Sequence, residues 1–421
     1  MTSSVLAQAP ITSPPTEPPT DWIDPATGHR IVRLSKEPGS ASLYFHQNAY
    51  TPDGNKLIIS TPGGLSSVNL KTRAIELVVS NLRYSMGSSS GIEVGRKTPT
   101  VYYQRVEEGV TVLYGTDIET KATRAIARVA LPGADIGGIN ADETLIVGKC
   151  RTGIAAPPAA PAPATQPPSS PPAAQRGGRG NTGMLQFFTA NIRTGEVRTF
   201  FPMPDNLNHH QTSPTDPKLI LYCHEGNWHE VDRIWTISTD GTGNKLMHVR
   251  TMQYEIAGHE FFSHDGQWVY YDLQTPRSAI FWLAGVNVTN GERIRYPIER
   301  EHWSVHYNES WDGKLFAGDG GGPSSVANRT PLPEGAAFDP PRNGQWIFLF
   351  KPSLSPADAV RVNNEEVKVG KLAVEKLVDL SKHNYQLEPN LTFTPDNKWI
   401  VFRSNLHGPM HVYAVEVAKA N

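Results

Sequence analysis

His46, His209, His259, His306 and Asn390 each stand six or seven residues ahead of an Asp-bearing turn, with His210 and Glu388 close by. Imidazole, carboxylate and carboxamide groups can ligate a divalent ion, move a proton near neutrality or line a polar pocket. A single histidine in such a strand is ordinarily a hydrogen-bonded core residue. Repetition in register, on units that converge on one axis, points instead to a shared site. The strands after the turns add Lys149, His224, Glu225, Asp319 and Arg403. The run YCHEGNWHEVDRIW, from Tyr222 to Trp235, is especially dense in such groups. Arg233 lies there in a strand-like pattern, where an unpaired guanidinium is costly. It either pairs with Asp232 or Glu225, or its planar fork clamps a substrate carboxylate.

Positioning these side chains requires a repeated element, and the turns reveal it. Pro52-Asp53-Gly54, Lys97-Thr98-Pro99, Ala141-Asp142-Glu143, Thr215-Asp216-Pro217, Asp265-Gly266, Asp312-Gly313 and Asp396-Asn397 each precede a short run of β-branched and aromatic residues. A second strand and turn follow most of them, as in FTANIRTGEVRTF and GVNVTNGERIRYP. Strands of this kind separated by Gly, Asp and Asn turns make hairpins. Seven four-stranded units predict an all-β fold, a seven-bladed β-propeller, in one domain spanning 21–421. Roughly 370 residues remain without the tail and an insert, or about 53 per blade, slightly above the usual length. The segment from Arg30 to Ser35 is expected to pair with the last blade and close the ring, which removes open sheet edges.

Composition narrows the function classes. Lys and Arg number 39 against 41 Asp and Glu, a formal net charge of −2, so the chain is not a generally basic nucleic-acid binder. Two cysteines, Cys150 and Cys223, are too few for a disulfide framework or a cysteine zinc site. No apolar run reaches membrane-spanning length, so no membrane insertion is expected. Residues 1–20 are rich in Pro, Thr and Ser and are expected to be a disordered tail. Within them Val5 to Ala9 resembles the end of a secretory signal, without its basic start and most of its apolar part. The expected location is therefore periplasmic or secreted, with the cytoplasm as the alternative. A second biased stretch, at about 153–183, reads as a disordered Pro/Ala-rich surface loop. No residue pattern fixes an oligomeric state.

Several stretches resemble the oligogalacturonate lyase family, seven-bladed propeller enzymes of pectin breakdown. They are DPATGHRIVRLS, YFHQNAYTPDGNKL, YCHEGNWHEVDRIW, GHEFFSHDG, HYNESWDGKLFAGDG and LTFTPDNKWIVFRSN. The resemblance covers nearly the whole chain outside the tail and the Pro/Ala loop. It implies that His259, in the His-Glu-Phe segment, is the catalytic base, and that Arg233 is catalytic as well. It also implies a manganese ion held by three histidines and a glutamine, of which His306 is one. The other three fall in a Gln-x-x-His-x-His pattern that here reads His383-Asn-Tyr-Gln386-Leu-Glu388-Pro-Asn390, a departure from the family. The implied ligands are thus His306, Glu388, Asn390 and Gln386. One imidazole with oxygen donors favours Mn²⁺, Ca²⁺ or Mg²⁺; alternatively no metal binds and Glu388 contacts substrate.

The implied reaction is β-elimination in a uronate-containing oligosaccharide. A base removes the C5 proton, α to the carboxylate, and the C4 oxygen leaves. Charge builds on that carboxylate, so a facing cation, either a metal or Arg233, is the main requirement. A neutral imidazole suits the base. His209, His210 and His224 are candidates for substrate contact and leaving-group protonation, and Trp303 or Trp228 for stacking on a sugar face. The alternatives are a non-catalytic propeller of TolB or WD-repeat type, and a related sugar enzyme with another substrate. A scaffold, however, has no need of His or Asn at one depth in five blades.

Overall fold

The computed structural model describes residues 17–82, 91–153, 184–204, 206–322, 345–354, 359–362 and 365–420. Residues 1–16 of the expected tail and nearly all of the Pro/Ala-rich stretch lie outside them. Seven sheets, antiparallel but for one strand pair in blade 5, form among the described residues, in a ring, and the only helical element there is one turn at Arg300–His302. The fold is a seven-bladed β-propeller.

Each blade begins with a short innermost strand: Ala41–Ser42, Glu93–Val94, Asp135–Ile139, Asn206–Thr212, Ile256–Phe262, Tyr307–Glu309 and Thr392–Phe393 for blades 1 to 7. Blade 7 closes the ring as expected. His29–Arg33 pairs antiparallel with His411–Lys419, and Asp21–Ile23 adds a fifth strand outside it. Buried apolar clusters lie between adjacent blades; Ile31, Phe393, Phe402 and Tyr413 of blade 7, for example, pack with Ala317, Ile347 and Leu349 of blade 6.

One device recurs at the turns and explains why they were visible in the sequence. A hydroxyl two residues from the turn aspartate bonds to it: Thr51 to Asp53 at 2.6 Å, Ser263 to Asp265 at 2.6 Å, Ser310 to Asp312 at 2.8 Å and Thr394 to Asp396 at 2.7 Å. The same carboxylates accept backbone N–H groups of Asn55, Gln267, Lys314 and Lys398, fixing the turn that returns the chain from the innermost strand. The depth of each innermost strand in the channel is thereby set by its own turn.

Blade 5 departs from the four-stranded expectation. Its outer strand Arg293–Ile298 pairs in parallel with Glu365–Val369, which in turn pairs with Ala359–Val362. This hairpin belongs in sequence to blade 6, so it ties the two blades together through Lys368 Nζ and Glu292 Oε1 at 2.7 Å.

Candidate active site

The channel positions converge. Tyr44, following the innermost strand of blade 1, lies edge-on to His46 at 5.0 Å and His306 at 5.4 Å between ring centroids, and 5.9 Å from His209. His306 meets His259 edge-on at 4.8 Å. Asn390 of blade 7 accepts the Phe45 N–H of blade 1 at 3.2 Å. Side chains from blades 1, 4, 5, 6 and 7 thus share one mouth of the channel.

The backbone is shaped to aim them. His209, His259 and Asn390 all adopt left-handed conformations, with φ of 47°, 50° and 51°. At His209 and His259 the strand pairing is interrupted, between Asn208 and Gln211 and between Gly258 and Phe261. A bulge of this kind redirects one side chain at the expense of ladder bonds, and such strain concentrates where function requires it.

His306 and its partner form the most ordered part. Asp319 accepts the His306 backbone N–H through Oδ1 and the ring Nδ1–H through Oδ2, each at 2.8 Å, and both side chains are fully buried. Burial alone would lower the imidazole, but the Asp319 charge and hydrogen bond, with Glu388 behind them, hold it above its ordinary value. Nε2 then faces the Tyr44 hydroxyl at 3.3 Å and Glu388 Oε2 at 3.8 Å. Glu388 is anchored by its backbone carbonyl, which accepts Arg403 Nε–H at 2.8 Å.

His259 is buried between His306 and the Trp228 ring, the latter at 5.0 Å. Burial first, and then the positive fields of His306, His209 and Arg233, keep it well below the usual histidine value. It is a neutral imidazole near pH 7, which is the form a base must have. Arg233 lies 4.3 Å over the same Trp228 ring and pairs with Glu225 Oε1 at 3.0 Å. Of the two partners the sequence allowed, Glu225 is the one that pairs; Asp232 instead holds Arg250 at 3.1 Å. Glu260, beside Arg233, is buried, and burial pushes it up to about 7.

The expected substrate contacts divide. His209 faces the site, with Nε2 at 3.9 Å from Glu225 Oε2, and burial lowers it to about 4. His210 does not face it. The bulge turns His210 into the wall, against Phe187 and the backbone of Gly137, where burial depresses it to about 3. A Cβ on Gly137 would collide with the His210 ring and carbonyl. Gly137→Ala should therefore cost about 1–3 kcal/mol through overpacking, read as a lowered denaturant midpoint; an unchanged midpoint would show that the wall can yield. His224 stacks on Trp235 at 4.8 Å and is half-buried. Trp303 is only 1% exposed and donates its indole N–H to Asp272 Oδ1 at 2.7 Å, so it cannot serve as a sugar platform. Trp228 is the indole that borders the site.

Of the four expected metal ligands, one reaches the mouth with its carboxamide engaged and one points to solvent. Asn390 has its carboxamide committed, with Oδ1 on Phe45 N–H and Nδ2 on the Glu388 carbonyl at 3.3 Å. Gln386 is exposed, while Tyr385 turns inward and gives its hydroxyl to the Asp319 carbonyl at 2.9 Å. Among the described residues no group of three or more His, Cys, Asp or Glu side chains is arranged to hold an ion. His306 and Glu388 remain as a pair. Their donor atoms, 3.8 Å apart, are within reach of one ion with ligands at about 2.0–2.6 Å. His306 also has the outer partner of a ligating histidine, a carboxylate on its other ring nitrogen.

The family model and the curated relatives name one family. A family model described as oligogalacturonate lyase matches residues 182–421. An oligogalacturonide lyase of Pectobacterium atrosepticum is 25% identical over 232 residues, 54% of this chain and 54% of that protein. An oligogalacturonate lyase of Dickeya dadantii is 26% identical over 229 residues, with the same coverage of both. The chain therefore aligns with about half the length of the curated relatives it matches. A solved structure, described as an oligogalacturonate lyase in complex with manganese, superposes with a TM-score of 0.69 at 19% identity, covering 95% of this chain and 96% of that one. That likeness supports the fold.

Proposed function

Because this chain belongs to the oligogalacturonate lyase family, we propose that it is a lyase that cleaves uronate-containing oligosaccharides, oligogalacturonate foremost, by β-elimination. The observation that carries the proposal is the meeting of His259, His306, Glu388 and Arg233, from blades 4 to 7, in one chain of contacts through the Trp228 ring. A scaffold would gain nothing from burying so many polar groups there, with atoms such as Arg233 Nε, His259 Nδ1 and both Glu260 oxygens left unpaired.

In this reading His259 takes the C5 proton through a ring nitrogen. The C5–H bonding pair becomes the C4–C5 double bond, and the C4 oxygen departs with the other part of the chain. Arg233 faces the uronate carboxylate as charge grows on it, and the low-dielectric setting strengthens that interaction. His209 and Glu225 line the leaving-group side. Both lie below neutrality in their titration, so the departing oxygen takes its proton from solvent. The Trp228 ring holds Arg233 and His259 in relation to each other and offers an apolar face to a sugar.

A divalent ion, Mn²⁺ foremost with Ca²⁺ or Mg²⁺ in the same class, fits beside these groups. His306 Nε2 and Glu388 would hold it, with the remaining positions left to substrate and water. Such an ion supplies positive charge at the substrate carboxylate. Metal analysis of purified protein beside His306→Ala tests this directly. The expected result is a stoichiometric ion in the parent and its loss in the variant; equal content in both would remove His306 from the site.

The activity itself is tested by following the unsaturated product with galacturonate, glucuronate and rhamnogalacturonan oligomers, Mn²⁺ being supplied. Turnover of the galacturonate oligomers is expected. Silence on the whole panel would overturn the lyase reading, and turnover of another member alone would move the substrate.

A further inference from the structure

Asp272 occupies the second strand of blade 5, Trp268–Gln274, thirteen residues after His259. Its side chain is buried, and the Trp303 indole holds Oδ1. The other oxygen, Oδ2, has no hydrogen-bond partner, and neither has His259 Nδ1. These two atoms face each other at 4.0 Å. Leaving a buried donor or acceptor unpaired carries its full desolvation penalty, so two such atoms within reach of each other are unusual unless they pair when the site is filled. Catalytic hydrogen bonds are commonly long before substrate tightens them.

Blade 6 contains the same arrangement in its closed form. His306, just ahead of the innermost strand, and Asp319, just past the second strand Phe316–Gly318, have the same thirteen-residue separation, and their bond is 2.8 Å. The propeller repeat thus builds a histidine–aspartate pair twice, closed on the ion side and open by about an ångström on the base side.

We propose that Asp272 is the positioning residue of the base: it accepts the His259 Nδ1–H, fixes that tautomer and leaves Nε2 with its lone pair toward C5. The pairing deepens the lyase reading and rests on it for its kinetic consequences. When His259 accepts the C5 proton at Nε2, the ring becomes an imidazolium with both nitrogens protonated. Asp272 then faces that charge as a carboxylate and does not itself take the proton. While the gap is open, burial holds the Asp272 carboxyl up at about 7; an N–H donated across it favours the charged form. Trp303 completes the chain by keeping Asp272 from rotating.

Asp272→Asn tests this with little change of shape. The carboxamide oxygen still accepts the Trp303 N–H, but an NH₂ now faces Nδ1 and forces the hydrogen onto Nε2. The expected result is a fall in kcat of about a thousandfold with KM within about threefold. Nitrogen-15 histidine spectra, with the His259 signal identified by its loss in His259→Ala, should show Nδ1–H in the parent and Nε2–H in Asp272→Asn. A kcat within threefold of the parent, or an Nε2–H parent, overturns the assignment. Should Asp272→Asn not fold, Trp303→Phe releases the same carboxylate and should lower kcat about tenfold; unchanged kcat there also counts against it. If the parent has no lyase activity, the lyase reading fails while the spectra still decide the pair.

Discussion

His259→Ala is expected to lower kcat by about three orders of magnitude while leaving the fold intact, measured as the rate of unsaturated-product formation at saturating oligogalacturonate. A general base contributes about 10²–10⁴ in rate, and His259 is the neutral imidazole packed between His306 and the Trp228 ring that carries Arg233. KM should change little, because His259 meets the substrate chiefly at the proton it removes. A kcat that falls less than tenfold would assign the base to another group, with His209 the next imidazole on the wall.

Arg233→Ala should be comparably severe. Loss of a preorganised donor aimed at developing charge costs about 10²–10³, and here the carboxylate of Glu225 loses its partner as well. Repulsion between Glu225 and an incoming uronate should raise KM together with the fall in kcat. Arg233→Lys should restore only a small part of the rate, because an ammonium cannot reproduce both the stacking on Trp228 at 4.3 Å and the fork on two oxygens. Equal kinetics for the alanine and lysine variants, both near the parent, would reduce Arg233 to a structural ion pair.

How much of this could be read from the residues depends on the range of the interaction. The turns were legible because each is built locally, by a hydroxyl and an aspartate two residues apart. Ring closure was legible because the apolar pattern of His29–Arg33 needed a partner strand, and the last blade had an edge to offer. The convergence of imidazoles followed from register alone. Other features did not follow. The His209-His210 pair offered two inward candidates, and only the bulge at φ 47° decides that His209 faces the channel and His210 the wall. The segment around Gln386 depends on a turn whose register selects Tyr385 as the inward residue. Trp303 looked like a sugar platform by type, yet a bond to Asp272, thirty-one residues away, buries it. The last case left a trace that was available: the recurrence of His and Asp thirteen residues apart in blades 5 and 6. The hairpin of 359–369 left none, since its parallel pairing with blade 5 joins strands about seventy residues apart.

The most direct test of the shared site is a crystal structure of His259→Ala soaked with an oligogalacturonate, since removal of the base should leave uncleaved substrate in place. The expected map has one uronate carboxylate between Arg233 and the His306–Glu388 pair, with its C5 hydrogen directed at the space the imidazole vacated. A sugar bound elsewhere on the propeller, or one whose carboxylate points away from both Arg233 and the His306–Glu388 pair, would contradict the assignment.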